Sequence, residues 1–289
     1  MSAIRARALG PAATVLAVLV CGLFAAPPAR AQGTLKAHYT ISMTGVTFGE
    51  IVWRVDIGDP RYSTTASGKA SGVLSVLVNG EGAVTAQGDI AAGRLDPLSF
   101  VSTITDDDGT ITLQMDFAGG VASESITSQP PAHADRLAVS DADRRGVADP
   151  LSAVLIPTKL GGGAFAASDC KRTLKIFDGR RRYDLVLSYD RMDKVEIGRG
   201  YSGPILVCGV VLQPIAGYRA DSMMVKYVAG RRNMELWFAP IAGTSIIAPV
   251  RVLMPTLIGT LKIEADRFEA TASPITPAPV ESAPLGAPY

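Results

Sequence analysis

Any chemistry in this chain would have to come from a short supply of reactive residues. There are two histidines, His38 and His133, and carboxylates are scattered through strand-like stretches, among them Glu50, Glu81, Glu196, Glu235 and Glu264. A hydrolytic triad needs a nucleophile, a base and a group that orients the base. Neither histidine lies in a nucleophile-type motif, and the chain has no G-x-S-x-G elbow, no H-E-x-x-H zinc motif and no P-loop. A glycosidase needs two carboxylates flanking one bond. No spacing among the glutamates singles out a pair, and each reads as a solvated strand residue. Trp53 and Trp237 could stack on sugars, yet both fall at apolar-face positions and read as core. The expectation is a non-enzyme with no catalytic residue, no metal site and no cofactor.

The densest cluster is CKRTLKIFDGRRRYDLVLSYD, residues 170–190. With Asp178-Gly179 as a two-residue hairpin turn, Lys175 opposes Arg182, Thr173 opposes Asp184 and Leu174 opposes Tyr183. Strand alternation then sends Arg181 to one face and Arg180 and Arg182 to the other, so the triplet is not one patch. Asp184 can partly neutralise Lys175 and Arg182. One reading is a charged hairpin tip that protects strand edges; the other is an anion or glycan contact through Lys175, Arg180 and Arg182. The acidic run Asp106-Asp107-Asp108 reads as a solvated hairpin end, since calcium needs more oxygen ligands at organised spacing.

The ends bound the compartment. Arg5 and Arg7 precede the apolar run AATVLAVLVCGLFAA, and Ala29-x-Ala31 stands before Gln32. This is the pattern of a secretory signal peptide over residues 1–31, cleaved after Ala31. Loss of Arg5, Arg7 and Arg30 lowers Lys+Arg from 28 to 25 against 27 Asp+Glu, a net charge of −2. No global basic field then attracts nucleic acid, and no second stretch is long enough to span a membrane as a helix. Localisation in the periplasm follows. Cleavage removes Cys21 and leaves Cys170 and Cys208, an even pair whose simplest state in an oxidising compartment is a disulfide. Neither remaining histidine has metal-ligand spacing to these cysteines.

The elements that must position these residues are strands. In HYTISMTG and GEIVWRVDIG, apolar residues alternate with polar ones, the period of half-buried strands. In FVSTITDDDGTITLQMDF, an Asp108-Gly109 turn pairs Ile104 with Leu113, Ser102 with Met115 and Phe100 with Phe117. Asp149-Pro150 before LSAVLI signals a helix start, limited to about two turns by Pro157 and the glycines at 161–163. SGVLSVLVNG reads as a short helix or a strand. ILVCGVVLQPIAG, SMMVKYVAG, NMELWFAP and the run from Ile246 to Ile263 read as strands, some apolar on both faces and so buried or lining a cleft. The fold class is mainly β: a large curved antiparallel sheet, or an open or half barrel, with one or two short helices. One β-rich domain is expected over 32–270, with a first half at about 36–128, a crossover at about 129–163 and a second half at about 164–270. The Pro/Ala-rich tail 271–289 cannot bury enough apolar surface to order itself.

YTISMTGVTFGEIVWRV, DPLSAVL, FDGRRRYDL, YSGPILVCGVVLQPIAGYR, MELWFAP and APVRVLMPTLIGTLKIEA, in this order, resemble the bacterial exported family called domain of unknown function 3108. The resemblance implies an envelope protein of strongly β character and no established activity. Three function classes stay open: a carrier holding a lipid, acyl chain or hydrophobic peptide in its concave sheet; a ligand-free scaffolding module with an envelope protein partner; and a glycan-directed hydrolase. The first leads, because Met223, Met224, Met234 and Met254, with Trp237 and Leu257, cluster in the apolar second half. Methionines adapt to irregular apolar partners, so these six are the expected lining of a hydrophobic cavity.

Overall fold

The computed structural model describes residues 32–71, 80–107, 109–127, 136–160 and 163–273. The expected signal peptide, the stretch 72–79, Asp108, His133 and the tail beyond 273 lie outside the described residues.

The first half is a meander of long strands. β1 (Gly33–Met43), β2 (Val46–Ile57), β3 (Arg61–Ala70), β4 (Gly80–Ala91), β5 (Arg94–Asp106), β6 (Gly109–Ala118) and β7 (Val121–Thr127) each pair antiparallel with the next. The second half carries α1 (Pro150–Ala153), β8 (Ile156–Pro157), a 3₁₀ turn (Ala167–Cys170), β9 (Arg172–Phe177), β10 (Arg182–Glu196), β11 (Arg199–Gly200), β12 (Ser202–Ala216), α2 (Met223–Ala229), β13 (Met234–Pro240), β14 (Ile246–Thr256) and β15 (Gly259–Ala272). β15 returns to pair with β1, joining both halves in one sheet of order β7-β6-β5-β4-β3-β2-β1-β15-β14-β13-β12-β10-β9, with β11 on β15 and β8 on β14. The protein is a mainly β, nearly closed, barrel-like antiparallel sheet, with two short α-helices among the described residues.

The alternation read in the sequence places the core. Leu35, Ala37 and Tyr39 of β1 stand directly opposite Val55, Trp53 and Ile51 of β2. This face packs on Ile205, Val207, Ala239, Ile246, Ala248 and Val250 from β12 to β14. The opposite face of those same strands, through Leu206, Cys208, Val210, Leu236, Phe238 and Ile247, is covered by Leu187, Val228 of α2, Ile156 of β8 and the 3₁₀ turn at Cys170. Burial on both faces is why ILVCGVVL and the run from Ile246 show little polar alternation. A third cluster joins Ala86, Phe100, Leu113, Met115 and Phe117 to Val147 and to Phe177 of β9. It fastens one end of the sheet order to the other.

Local structure departs from expectation at four places. In the β5–β6 hairpin Asp106 pairs with Gly109 and Ile104 with Ile111, so the register is displaced by two residues while each side chain keeps its face. In the β9–β10 hairpin Arg182 pairs with Phe177 and Asp184 with Lys175, again two residues from expectation. The cause there is Asp178, whose Oδ1 accepts the N–H groups of Arg180 (2.9 Å) and Arg181 (2.6 Å). That side chain stabilises a longer loop than a two-residue turn. α1 is one turn rather than two. SMMVKYVAG is a helix, not a strand. Ser222 caps it by accepting from Val225 N, and only Val228 is buried, so strand alternation was never required.

Candidate functional site

A sheet with two terminal strands would expose two edges, and the crossover deals with both. Ala122 of β7 donates to Arg144 O (2.9 Å) and Gly146 donates to Gly120 O (2.8 Å). A few residues on, Ala148 donates to Lys175 O of β9 (2.9 Å) and Phe177 donates to Ala148 O (3.0 Å). One strap therefore bridges β7 and β9. Arg144 pins it, with Nε 2.9 Å from Glu124 Oε2 and a second, shorter contact to Oε1, while its guanidinium lies over the Phe177 ring.

Beyond the strap the chain turns inward at Asp149. This carboxylate is completely buried, and Oδ1 caps α1 by accepting from Leu151 N and Ser152 N, both at 2.9 Å. Oδ2 has no partner among the described residues. Burial pushes the Asp149 carboxyl above the ordinary aspartate range. Tyr62 donates to Ser152 Oγ (2.8 Å), fixing α1 against the first half of the sheet.

The strap leaves a gap beside it. Between the β4–β5 turn, the β6–β7 turn, the strap, α1 and the start of β9 lies a cleft of about 790 Å³. Its apolar wall includes Leu95, Pro97, Leu98, Phe117, Val147 and Leu155, and Arg94, Arg172 and Lys175 are its cations. Arg172 is held by Asp169 O (2.7 Å) and Pro157 O (3.1 Å). The β9 edge also contributes backbone. Lys175 O and Phe177 N point to the strap, so by strand alternation the N–H and C=O of Thr173 point the same way, toward the cleft.

The expected site residues disperse. Of Lys175, Arg180 and Arg182, only Lys175 lines the cleft. Arg180 is exposed in the β9–β10 loop, whereas Arg182 is buried, bonded to Asp184 and donating to Tyr183 O (2.7 Å). None of the six residues expected to form a hydrophobic cavity lines this cleft. Met234 is buried and Met254 half-buried in the core beneath α2; Trp237 lies on the other face of β13, and Met223, Met224 and Leu257 are exposed. Periodicity could not separate these fates, because helix α2 and the β14–β15 turn redirect Met223, Met224 and Leu257 outward. Cys170 and Cys208 form a disulfide, with Cα atoms 5.5 Å apart, joining the 3₁₀ turn to β12.

Sequence reasoning missed a polar line across the sheet. Direct cross-strand partners run Thr105–Glu81–Lys69–Glu50–Thr40–Glu264–Arg251–Trp237. Signs alternate along much of it. Lys69 sits 3.0 Å from Glu50, Arg251 contacts Glu264 and covers the Trp237 ring at 3.9 Å, and Arg191 adds Glu235 (3.3 Å). His38 joins from the flank, 2.8 Å from Asp266 and 3.5 Å from Glu50. Glu50 and Glu264 each lie beside a cation, Lys69 and Arg251 respectively. Among the described residues no group of three or more His, Cys, Asp or Glu is placed to hold a metal ion.

Fold and site thus define a β-barrel-like protein with a ligand-sized cleft at its closing seam. The chain belongs to the family described as Protein of unknown function (DUF3108), which matches residues 38–266. None of the curated proteins compared with the chain matches it. Among solved structures, the chain is similar to a beta-barrel-like protein of domain of unknown function DUF1849 from Brucella abortus. That likeness has 10% identity and a TM-score of 0.45, over 83% of this chain and 98% of that one.

Proposed function

We propose that this protein is an exported, periplasmic, non-enzymatic envelope protein that holds a lipid or another hydrophobic ligand, and that the ligand lies in the seam cleft. The observation that carries this reading is the cleft itself. Its volume of about 790 Å³ falls among ligand pockets, which run from roughly 300 to 1,000 Å³. An apolar wall with Lys175 beside it suits an amphipathic molecule with an anionic head; Arg94, also at the cleft, is paired with Asp96 at 3.2 Å. The cystine supports export, since such bonds persist in oxidising compartments.

One observation favours a second reading, a ligand-free interaction module: the space between the halves is filled by Tyr39, Trp53, Val55 and Phe268. The test is mass spectrometry of purified protein for co-purifying lipid, followed by titration with an apolar fluorescent probe. Saturable binding, displaced by fatty acid or phospholipid, is expected. Leu98 is partly exposed on the cleft wall, so Leu98→Asp should fold and yet weaken the probe by about tenfold, equivalent to about 1.4 kcal/mol. Absence of saturable binding would leave the interaction module standing.

A further inference from the structure

Part of the methionine-rich region faces solvent. β14 ends at Thr256, and Leu257 and Ile258 form its turn into β15. Ile258 is 74% exposed and Leu257 46%. The β1–β2 turn lies against this tip, since a Cβ on Gly259 would stand 2.6 Å from Thr44 Cγ2, and Val46 beyond it is also exposed. α2 approaches from the other side. It packs on β12 and β14 through Tyr227 and Val228 and leads into β13, where Glu235 pairs with Leu253, four residues before Leu257. On its outer surface Met223 is 72% exposed and Met224 41%. Two adjoining loops and a short helix therefore present unbranched and branched apolar side chains to solvent at one end of the sheet.

The charges on α2 and just after it are cationic in excess. Lys226 lies on α2, and Arg231 and Arg232 follow its last turn, all exposed. Among the described residues none of the three makes an ion pair within 4 Å; Lys226 acts on Asp221 at longer range and Arg231 stacks on Tyr227 at 4.0 Å. The nearby acid, Asp221, is matched by Arg219 at 3.3 Å. This is a local cationic excess in a chain whose whole formal charge is only +1. Cation neighbours also occur elsewhere, with Lys36 opposite Arg54 and Arg199 opposite Arg267, but those of α2 and the loop after it share their segment with the exposed Met223 and Met224.

We propose that this end docks on the surface of an anionic lipid bilayer, with Met223, Leu257 and Ile258 entering the headgroup–acyl boundary and Lys226, Arg231 and Arg232 meeting lipid phosphates. Apolar tips flanked by cations are the arrangement by which peripheral proteins bind interfaces. A zwitterionic surface would use only the apolar half of the patch. A protein partner would need an acidic rim around an apolar pocket, and that is an outcome the test separates. The docking surface is remote in sequence from the cleft residues and does not depend on what the cleft holds.

The test is flotation of the purified full chain with two vesicle types: phosphatidylethanolamine containing phosphatidylglycerol, and phosphatidylcholine alone. Binding to the first, weaker binding to the second, and loss of the difference at high salt are expected. Each cation at an anionic surface is worth about a fivefold change in affinity. Lys226→Glu with Arg231→Glu and Arg232→Glu should therefore lower binding to the anionic vesicles by about a hundredfold or more. Met223→Ser with Ile258→Ser should lower binding to both. All five positions are exposed, and an unchanged melting temperature confirms folding. The apolar stretch within residues 1–31 would itself enter lipid if retained, so mass spectrometry establishes the chain's N-terminus and the readout is the difference between variants. Wild-type protein that stays with neither vesicle, equal binding to both, or variants that float like wild type would each overturn the proposal. Concentration-dependent self-association in place of vesicle binding would overturn it in favour of a protein partner.

Discussion

Arg180 and Arg182 are two residues apart and have opposite fates. Arg180 projects from the loop, so Arg180→Ser should change stability by no more than about 0.5 kcal/mol. Arg182 is buried against Asp184. Arg182→Ser would strand that carboxylate and should cost about 2 kcal/mol, read from denaturant unfolding. Gly179 is worse to replace than either. Its φ is +85°, and a Cβ there would fall 2.3 Å from Leu113 Cδ1 on β6. Gly179→Val should therefore exceed the cost of Arg182→Ser in the same measurement, through both left-handed strain and a clash with the opposite end of the sheet.

Asp149 permits a pH prediction at the same scale. Its folded pKa is raised by burial. The stability that neutral Asp149 contributes is therefore complete below the unfolded value, about 3.9. It is lost as pH rises from there through the folded value. Asparagine caps helices as well as aspartate and does not titrate. Melting temperatures of the protein and of Asp149→Asn should diverge with rising pH above about 4, the variant becoming relatively more stable. Parallel curves would show that Asp149 stays charged.

At the scale of elements, two devices hold the second half in place. The Cys170–Cys208 bond spans 38 residues in sequence. In the chain-entropy argument its loss costs about 4 kcal/mol, so a Cys170→Ser, Cys208→Ser variant should unfold at clearly lower denaturant, and denatured unreduced protein should show neither thiol. The strap is the other device. Arg144 and Glu124 are mostly buried and hydrogen-bonded to each other. Arg144→Ala should destabilise by about 3 kcal/mol. It should also raise amide exchange first at Ala122, Gly146, Ala148 and Phe177, whose N–H groups make the seam. Loss spread evenly over β1 and β2 would mean that the strap does not close the barrel.

For the molecule as a whole, strand identity was legible wherever one face is buried. Tyr39-Ile41 and Trp53-Val55-Ile57 announce their pairing because alternation is a property of single strands. The Asp149-Pro150 cap and the cysteine pair were legible for the same reason: each depends on local chemistry or on a count. The sheet order was not. That β15 returns to β1, and that the strap bridges β7 to β9, depends on partners more than two hundred and between about twenty and thirty residues apart, respectively, and no residue carries the address of its partner. Strand faces were read correctly in the β5–β6 hairpin, whereas in β9–β10 Arg182 is buried opposite Phe177 rather than solvated beside Arg180; both registers moved by two, a slip that keeps each side chain on its side of the sheet. In the β9–β10 hairpin the choice between registers was left to Asp178. The methionines show the limit most plainly. Composition established that Met223, Met224, Met234, Met254 and Leu257 are apolar and gathered in one half of the chain. Whether an apolar side chain is core, cavity wall or exposed tip depends on what the folded chain brings within about 4 Å of it, and only the tertiary structure decided that.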